Sequence, residues 1–178
     1  MGIPAPRARC FRRSAGFTLL EVLIASMILA FATLGLVQAV SAAQAQTYDA
    51  LRRARATALA DALLEEVLSK PYADPQAETA VGPDTGESGR DDFDNVDDYH
   101  GFAEAAGALS DHAGALYPTR FQRFERSVTV QPQTVSVAGL GGDRSGMLVT
   151  VTVTEPAESA GGSAGRSWTV TRFVPEAP

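Results

Sequence analysis

The chain has 178 residues, enough for one domain or one domain with an appendage. Apolar residues make up 45% and charged residues 20%, which excludes disorder throughout. One cysteine, Cys10, excludes an internal disulfide framework and a thiolate metal cage, and two histidines, His100 and His112, leave little material for a histidine-based metal or catalytic centre.

The formal net charge is −6, and it is unevenly spread. Residues 1–16 hold Arg7, Arg9, Arg12 and Arg13 without an acid and sum to +4, which leaves −10 on the rest. An acidic body behind a basic leader argues against nucleic acid as partner, because phosphate binding needs clustered cations.

Phe17 to Val40 reads FTLLEVLIASMILAFATLGLVQAV, with Glu21 as its one charge. Twenty-four helical residues span about 36 Å, enough for a hydrocarbon core of about 30 Å. The segment is apolar on every face, which a soluble core helix seldom is. Two kinds of segment fit a basic start before such a run. One is a secretory signal cut after Ala45, since Ala43-Gln44-Ala45 forms an A-x-A site. The other is a lasting membrane helix. The run is longer than a signal's apolar region, and a buried carboxylate at Glu21 is a cost that a disposable signal has no reason to carry.

Ser14-Ala15-Gly16-Phe17-Thr18-Leu19-Leu20-Glu21 resembles the N-terminal signal of type IV pilins and type II secretion pseudopilins. The resemblance implies cleavage by a prepilin peptidase between Gly16 and Phe17, and N-methylation of Phe17. It makes Glu21 the fifth mature residue, expected to set register in a filament by meeting a neighbouring subunit's amine. Phe17 and Glu21, four apart, are expected on one helical face. The words ALADALLEEVLSKPYADP and DDFDNVDDYHGF are similar to minor pseudopilins and to minor pilins of mannose-sensitive haemagglutinin type. The implied partners are the peptidase, other pilins or pseudopilins through the N-terminal helix, inner-membrane assembly machinery, and lipid before assembly. The implied place is the inner membrane, single-pass, with the head in the periplasm and later in a filament.

The expected organisation is a leader at 1–16, a membrane and filament-core helix at 17–40, and its amphipathic continuation at 41–70. A Gly- and Asp-rich connector at 71–120 and an antiparallel sheet at 121–178 follow. Tyr48 to Lys70 contains no Gly or Pro, and Leu51, Ala58, Ala62 and Val67, flanked by Leu59 and Leu63, form an apolar stripe. Pro71 stops the helix, and Gly35 permits a bend. The fold class is α+β: a long N-terminal helix, membrane-spanning in its first half, packed on a C-terminal sheet.

In the connector a short helix is expected at 102–109. Asp91, Asp92, Asp94, Asp97 and Asp98 crowd together, with Phe93, Tyr99 and Phe102 tucked onto the fold. No cofactor is expected. Calcium, with Asp94, Asp97 and Asp98 as candidates, is weighed against a solvated acidic loop, which is preferred because the spacing lacks the fixed Gly and terminal Glu of a calcium loop. Some pseudopilins bind calcium, at a motif this loop does not have. His100 beside Asp97 and Asp98 offers one metal corner and no more.

In the last third, Arg126-SVTVQPQTVSV, Met147-LVTVTVT and Ser167-WTVTRFV alternate as half-buried strands do. Val149, Val151 and Val153 share one face and the intervening threonines the other. Pro132 marks an edge strand, a bulge or a break. Trp168, Phe173, Phe121 and Phe124 are candidate core aromatics. No nucleophile elbow, paired metal ligand or phosphate loop is present, so an enzyme is not expected. The favoured function is a minor pilin-like subunit of a type II secretion pseudopilus or type IV-like pilus. The rivals are a secreted binding domain cut after Ala45 and an unprocessed single-pass scaffold.

Overall fold

The computed structural model describes residues 16–74, 80–137, 142–157 and 165–176. Residues 1–15 of the expected leader therefore lie outside the described residues, as do 75–79, 138–141, 158–164 and 177–178. The chain forms two compact units, Met1–Thr47 and Tyr48–Pro178. One helix, α1, runs Leu19–Leu68. It is 50 residues long, starts two residues later than expected and is continuous through Gly35.

In the second unit, the helix buries Ala56, Leu59, Ala60, Leu63, Leu64 and Val67. This i, i+3, i+4 pattern is rotated from the predicted stripe: Ala58 and Ala62 are exposed, and Leu51 is 46% exposed. The small Ala56 and Ala60 sit on the buried face with the leucines, so the choice between neighbouring alanines decides the stripe, and composition alone does not distinguish them. After Leu68 the chain turns, with the Lys70 N–H donating to the Val67 carbonyl at 3.2 Å.

Four strands follow: β1 Ala103–Glu104, β2 Glu125–Val137, β3 Gly142–Glu155 and β4 Arg166–Pro175. They form one antiparallel sheet in the order β1-β2-β3-β4. Val149, Val151 and Val153 of β3 are fully buried, and they face Val130, Val128 and Arg126 of β2 across the ladder. The helix stripe, these valines, Phe124, Leu109, Val96 and Tyr99 make one core. The opposite face carries a threonine ladder, Thr150 with Thr171 and Thr152 with Thr169, each hydroxyl pair 3.4 Å apart.

β3 starts five residues before Met147, so Gly142–Gly146 belongs to the strand and not to a connector. Gly146 is required there by close approach: an added Cβ would fall within 3 Å of the Val174 carbonyl oxygen and the Phe173 ring. Pro132 is accommodated on the sheet's open side. The Val128 N–H points from β2 to the Phe102 carbonyl and the Val130 N–H to His100 Nδ1. Pro132 follows on the same edge beyond the end of β1, where no ladder donor is needed. Of the four aromatics expected in the core, Phe124 is fully buried and packs edge-to-face on Trp168, with centroids 6.1 Å apart. Phe121 packs at the core's margin. Phe173 does not: it opposes Leu148 on the threonine side of the sheet.

The expected helix at 102–109 is replaced by β1 and a turn. Phe102 and Gly101 are drawn into pairing with Val128, and Gly107, at φ 88°, takes a left-handed turn that a helix cannot contain. The aromatic expectation for this region holds. Phe93, Tyr99 and Phe102 form an edge-to-face trio with centroids 5.0–6.1 Å apart.

A charged network crosses the core and ties four parts of the head together. Arg90, from the connector, grips Glu66 of the helix through both carboxylate oxygens, with its Nε 2.7 Å from Oε1. It reaches Glu104 of β1 at 3.4 Å and the Ser110 carbonyl at 3.2 Å. Arg126 of β2 donates to Glu104 and the Ser110 carbonyl, and to the Leu59 carbonyl at 3.4 Å. The Tyr99 hydroxyl donates to Glu66 at 2.8 Å. Two arginines and two glutamates balance, so the cluster carries no net charge into the interior.

Burial by itself would raise the Glu66 carboxyl. The hydrogen bonds from Arg90 and Tyr99, with the charges of Arg90 and Arg126, outweigh it and hold the group below its ordinary value of 4.5. The stability this gives is complete above the unfolded value and is lost as pH falls through the depressed folded value. Melting curves of wild type and Glu66→Gln are therefore expected to differ by a constant margin in neutral buffer. The margin should shrink as the buffer is taken below pH 4.5. A margin independent of pH would mean that the carboxylate charge contributes nothing.

Candidate functional site

The N-terminal unit starts from a helix cap. The Thr18 carbonyl accepts the N–H groups of Glu21 at 3.1 Å and Val22 at 3.2 Å, and Thr18 Oγ1 accepts the Glu21 N–H at 3.3 Å. Thr18-Leu19-Leu20-Glu21 thus has the spacing of a capping box, with Glu21 at the third helical position, where the helix dipole favours an acid. The T-x-x-E spacing is the sequence signal of this cap. The cap also corrects one expectation. Since Thr18 ends the helix, Phe17 lies outside it, and Phe17 and Glu21 do not share a helical face.

Gly16 and Phe17 are exposed in non-helical backbone, so the bond between them is free of helix hydrogen bonding. Beyond the cap, an 18-residue window of α1 has a mean hydropathy of 2.3 and none of it is buried. The helix is long and apolar enough to cross a membrane. Its hydroxyls are satisfied within the helix: Ser26, Thr33, Ser41 and Thr47 each donate to a carbonyl three or four residues back at 2.9 Å. Among the described residues, the Glu21 carboxylate has no hydrogen bond or ion pair.

The aspartate-rich loop is not a solvated run. Asp91 and Asp92 are exposed, whereas Asp97 and Asp98 are buried. The loop is closed by its own side chains. Asn95 Oδ1 accepts the N–H groups of Asp97 at 2.8 Å and Asp98 at 3.2 Å, while Asp98 Oδ2 accepts those of Asp94 and Asn95 at 2.9 Å. Of the three calcium candidates, the fold gathers Asp94 and Asp98 with Glu87, which the sequence reading did not single out; one carboxylate oxygen from each lies within 4.8 Å of the others. Asp97 is not in that group; its carboxyl is raised by burial and by the charges of Asp98 and Asp74. Glu87 is raised as well, first by burial and then by Asp98 and Asp94. His100 Nδ1 accepts the Val130 N–H at 3.2 Å, so that nitrogen is committed to the sheet edge rather than to a metal.

A capped apolar helix thus follows the exposed Gly16–Phe17 bond. A prokaryotic N-terminal methylation motif matches residues 11–37. The match takes in the Gly16–Phe17 bond, Glu21 and most of the apolar run, so the motif lies in register with the start of α1. Searches of curated proteins and of solved structures return no match.

Proposed function

We propose that the protein is a minor pilin-like subunit that is cut between Gly16 and Phe17, methylated at Phe17, and assembled into a type II secretion pseudopilus or type IV-like pilus. The observation that carries this reading is the methylation motif in register with an exposed Gly16–Phe17 bond and a capped apolar helix. Before assembly the helix holds the subunit in the inner membrane with its head in the periplasm, among lipid. Prepilin peptidase, other pilins or pseudopilins, and the inner-membrane machinery that extracts the helix are its partners. The role is structural: the chain is the substrate of the peptidase, and its head presents a surface from the fibre.

The fold also bears on the secreted-domain rival. Ala43-Gln44-Ala45 lies well inside α1, and Thr47 Oγ1 donates to the Ala43 carbonyl at 2.9 Å. A cut there would need the helix unwound, whereas the bond after Gly16 is already outside it. The test is the intact mass and N-terminal sequence of the protein purified from its native membrane. The expected result is a chain beginning at Phe17 and heavier than the unmodified fragment by one methyl group. A terminus near Gln46 would replace this reading with a secreted domain. A retained Met1 in cells with an active prepilin peptidase would replace it with a static membrane protein.

A further inference from the structure

The strongest unexplained chemistry in the head is the carboxylate group formed by Glu87, Asp94 and Asp98. Asp98 is fully buried, and only half of its carboxylate is provided for. Oδ2 takes two backbone N–H groups, while Oδ1, also buried, has no hydrogen-bond donor. A buried carboxylate oxygen without a donor is expensive, and two further carboxylates beside it add repulsion to the lost hydration.

No side-chain cation offsets this at Glu87 or Asp98: among the described residues, neither takes part in an ion pair. The two nearest basic residues in sequence are turned elsewhere. Arg90 is held by Glu66, Glu104 and Ser110, and Lys70 Nζ donates to the Phe93 carbonyl at 2.5 Å. Glu87 is itself positioned, with Oε2 accepting the Asp84 N–H at 3.1 Å. The three acids thus come together in one loop, in which Asp98 keeps a buried oxygen without a donor.

We infer that Glu87, Asp94 and Asp98 form a binding site for a hard divalent cation of the calcium type. The donors are all carboxylate oxygens, with no imidazole or thiolate among them, which suits calcium and not zinc or copper. Three carboxylates supply part of the six to eight oxygens that calcium takes, and water supplies the rest. The spacing, Glu87 with Asp94 and Asp98, follows no standard calcium loop, because the site is made by folding the chain back on itself. The bound cation would lock residues 84–98 against the aromatic trio of Phe93, Tyr99 and Phe102. This inference concerns the head alone and does not depend on how the N-terminus is processed.

The test uses the full chain in detergent, stripped with EDTA and dialysed, with its melting followed by the fluorescence of Trp168. Calcium chloride is expected to raise the midpoint in a saturable way, by about 5 °C or more at a hundredfold excess over the dissociation constant. Glu87→Gln and Asp98→Asn should lose that rise, and Asp97→Asn should keep it. In EDTA, Glu87→Gln should melt at or above wild type, because one like charge has gone; in calcium it should melt below. A purely structural Glu87 would lower the midpoint equally in both buffers. Should Asp98→Asn fail to fold, Glu87→Gln decides alone. The inference is overturned if wild type is unmoved by calcium up to about 10 mM, above the range of weak extracellular sites. It is equally overturned if Glu87→Gln retains the full rise, or if acid stabilises wild type while calcium does not, since the three acids would then share a proton rather than a metal.

Discussion

Replacing Arg126 by methionine is expected to cost the head about 3–5 kcal/mol, a large part of the 5–15 kcal/mol that holds a typical domain together. Arg126 is 2% exposed, and its guanidinium is the one group that joins Glu104, the Ser110 carbonyl and the Leu59 carbonyl of the helix. It also stacks over Tyr117, 5.5 Å from the ring centroid. Methionine fills much of the space but leaves Glu104 with Arg90 as its one cation, at the longer distance of 3.4 Å, beside the hydrogen bonds from the Ser110 N–H and Oγ. The melting midpoint should fall by about 10 °C or more. Adding Glu104→Gln to Arg126→Met should restore part of the loss, since most of the cost lies in the charge left behind rather than in the missing bond. The surface pair Arg123–Glu155 is a useful contrast. It is also an ion pair, at 3.1 Å, but Arg123 is 47% exposed, so Arg123→Met should cost less than about 1 kcal/mol.

Arg126 also shows how far the sequence could be read. Its parity was visible: it alternates in step with Val128 and Val130, so the period that places those valines in the core places Arg126 there too. What the sequence did not contain in readable form was the reason the arginine is tolerated. Its partners come from the helix, the connector and β1, with no local spacing to link them. The same limit explains the missed strand. Ala103–Glu104 is Ala-rich and pairs only because β2 has an open edge beside it. By contrast, the valine and threonine faces of β3 depend on a strong local period, and they came out as expected. The acidic loop lies between these cases. Its aromatics were placed correctly because burial is their default, whereas Glu87 joined the aspartates through a fold-back that adjacency in sequence does not reveal.

Glu21→Ala and Glu21→Gln are expected to be cut at Gly16 and inserted in the membrane normally, yet to enter filaments at least tenfold less than wild type. The pair of substitutions separates two roles for one side chain, capping the helix and docking on a neighbouring subunit. As the third helical residue after Thr18, Glu21 belongs to the cap, and glutamine can replace glutamate in a capping box. A capping loss is worth about 1 kcal/mol and would be felt by alanine much more than by glutamine. As the one charge on an otherwise apolar helix, Glu21 has no partner among the described residues, and glutamine cannot accept a neighbour's positive amine as an ion pair. Leaving that amine unpaired among apolar helices costs about 2.5–3.5 kcal/mol at full depth, more than enough for a tenfold effect. Counting subunits in sheared filaments against those left in membranes distinguishes the two. If glutamine restores incorporation and alanine does not, the carboxylate serves the helix end. If both fail alike while cleavage proceeds, it serves the neighbouring subunit. The second outcome is expected, because the cap already has the Thr18 hydroxyl and carbonyl, while the Glu21 carboxylate makes no hydrogen bond or ion pair among the described residues.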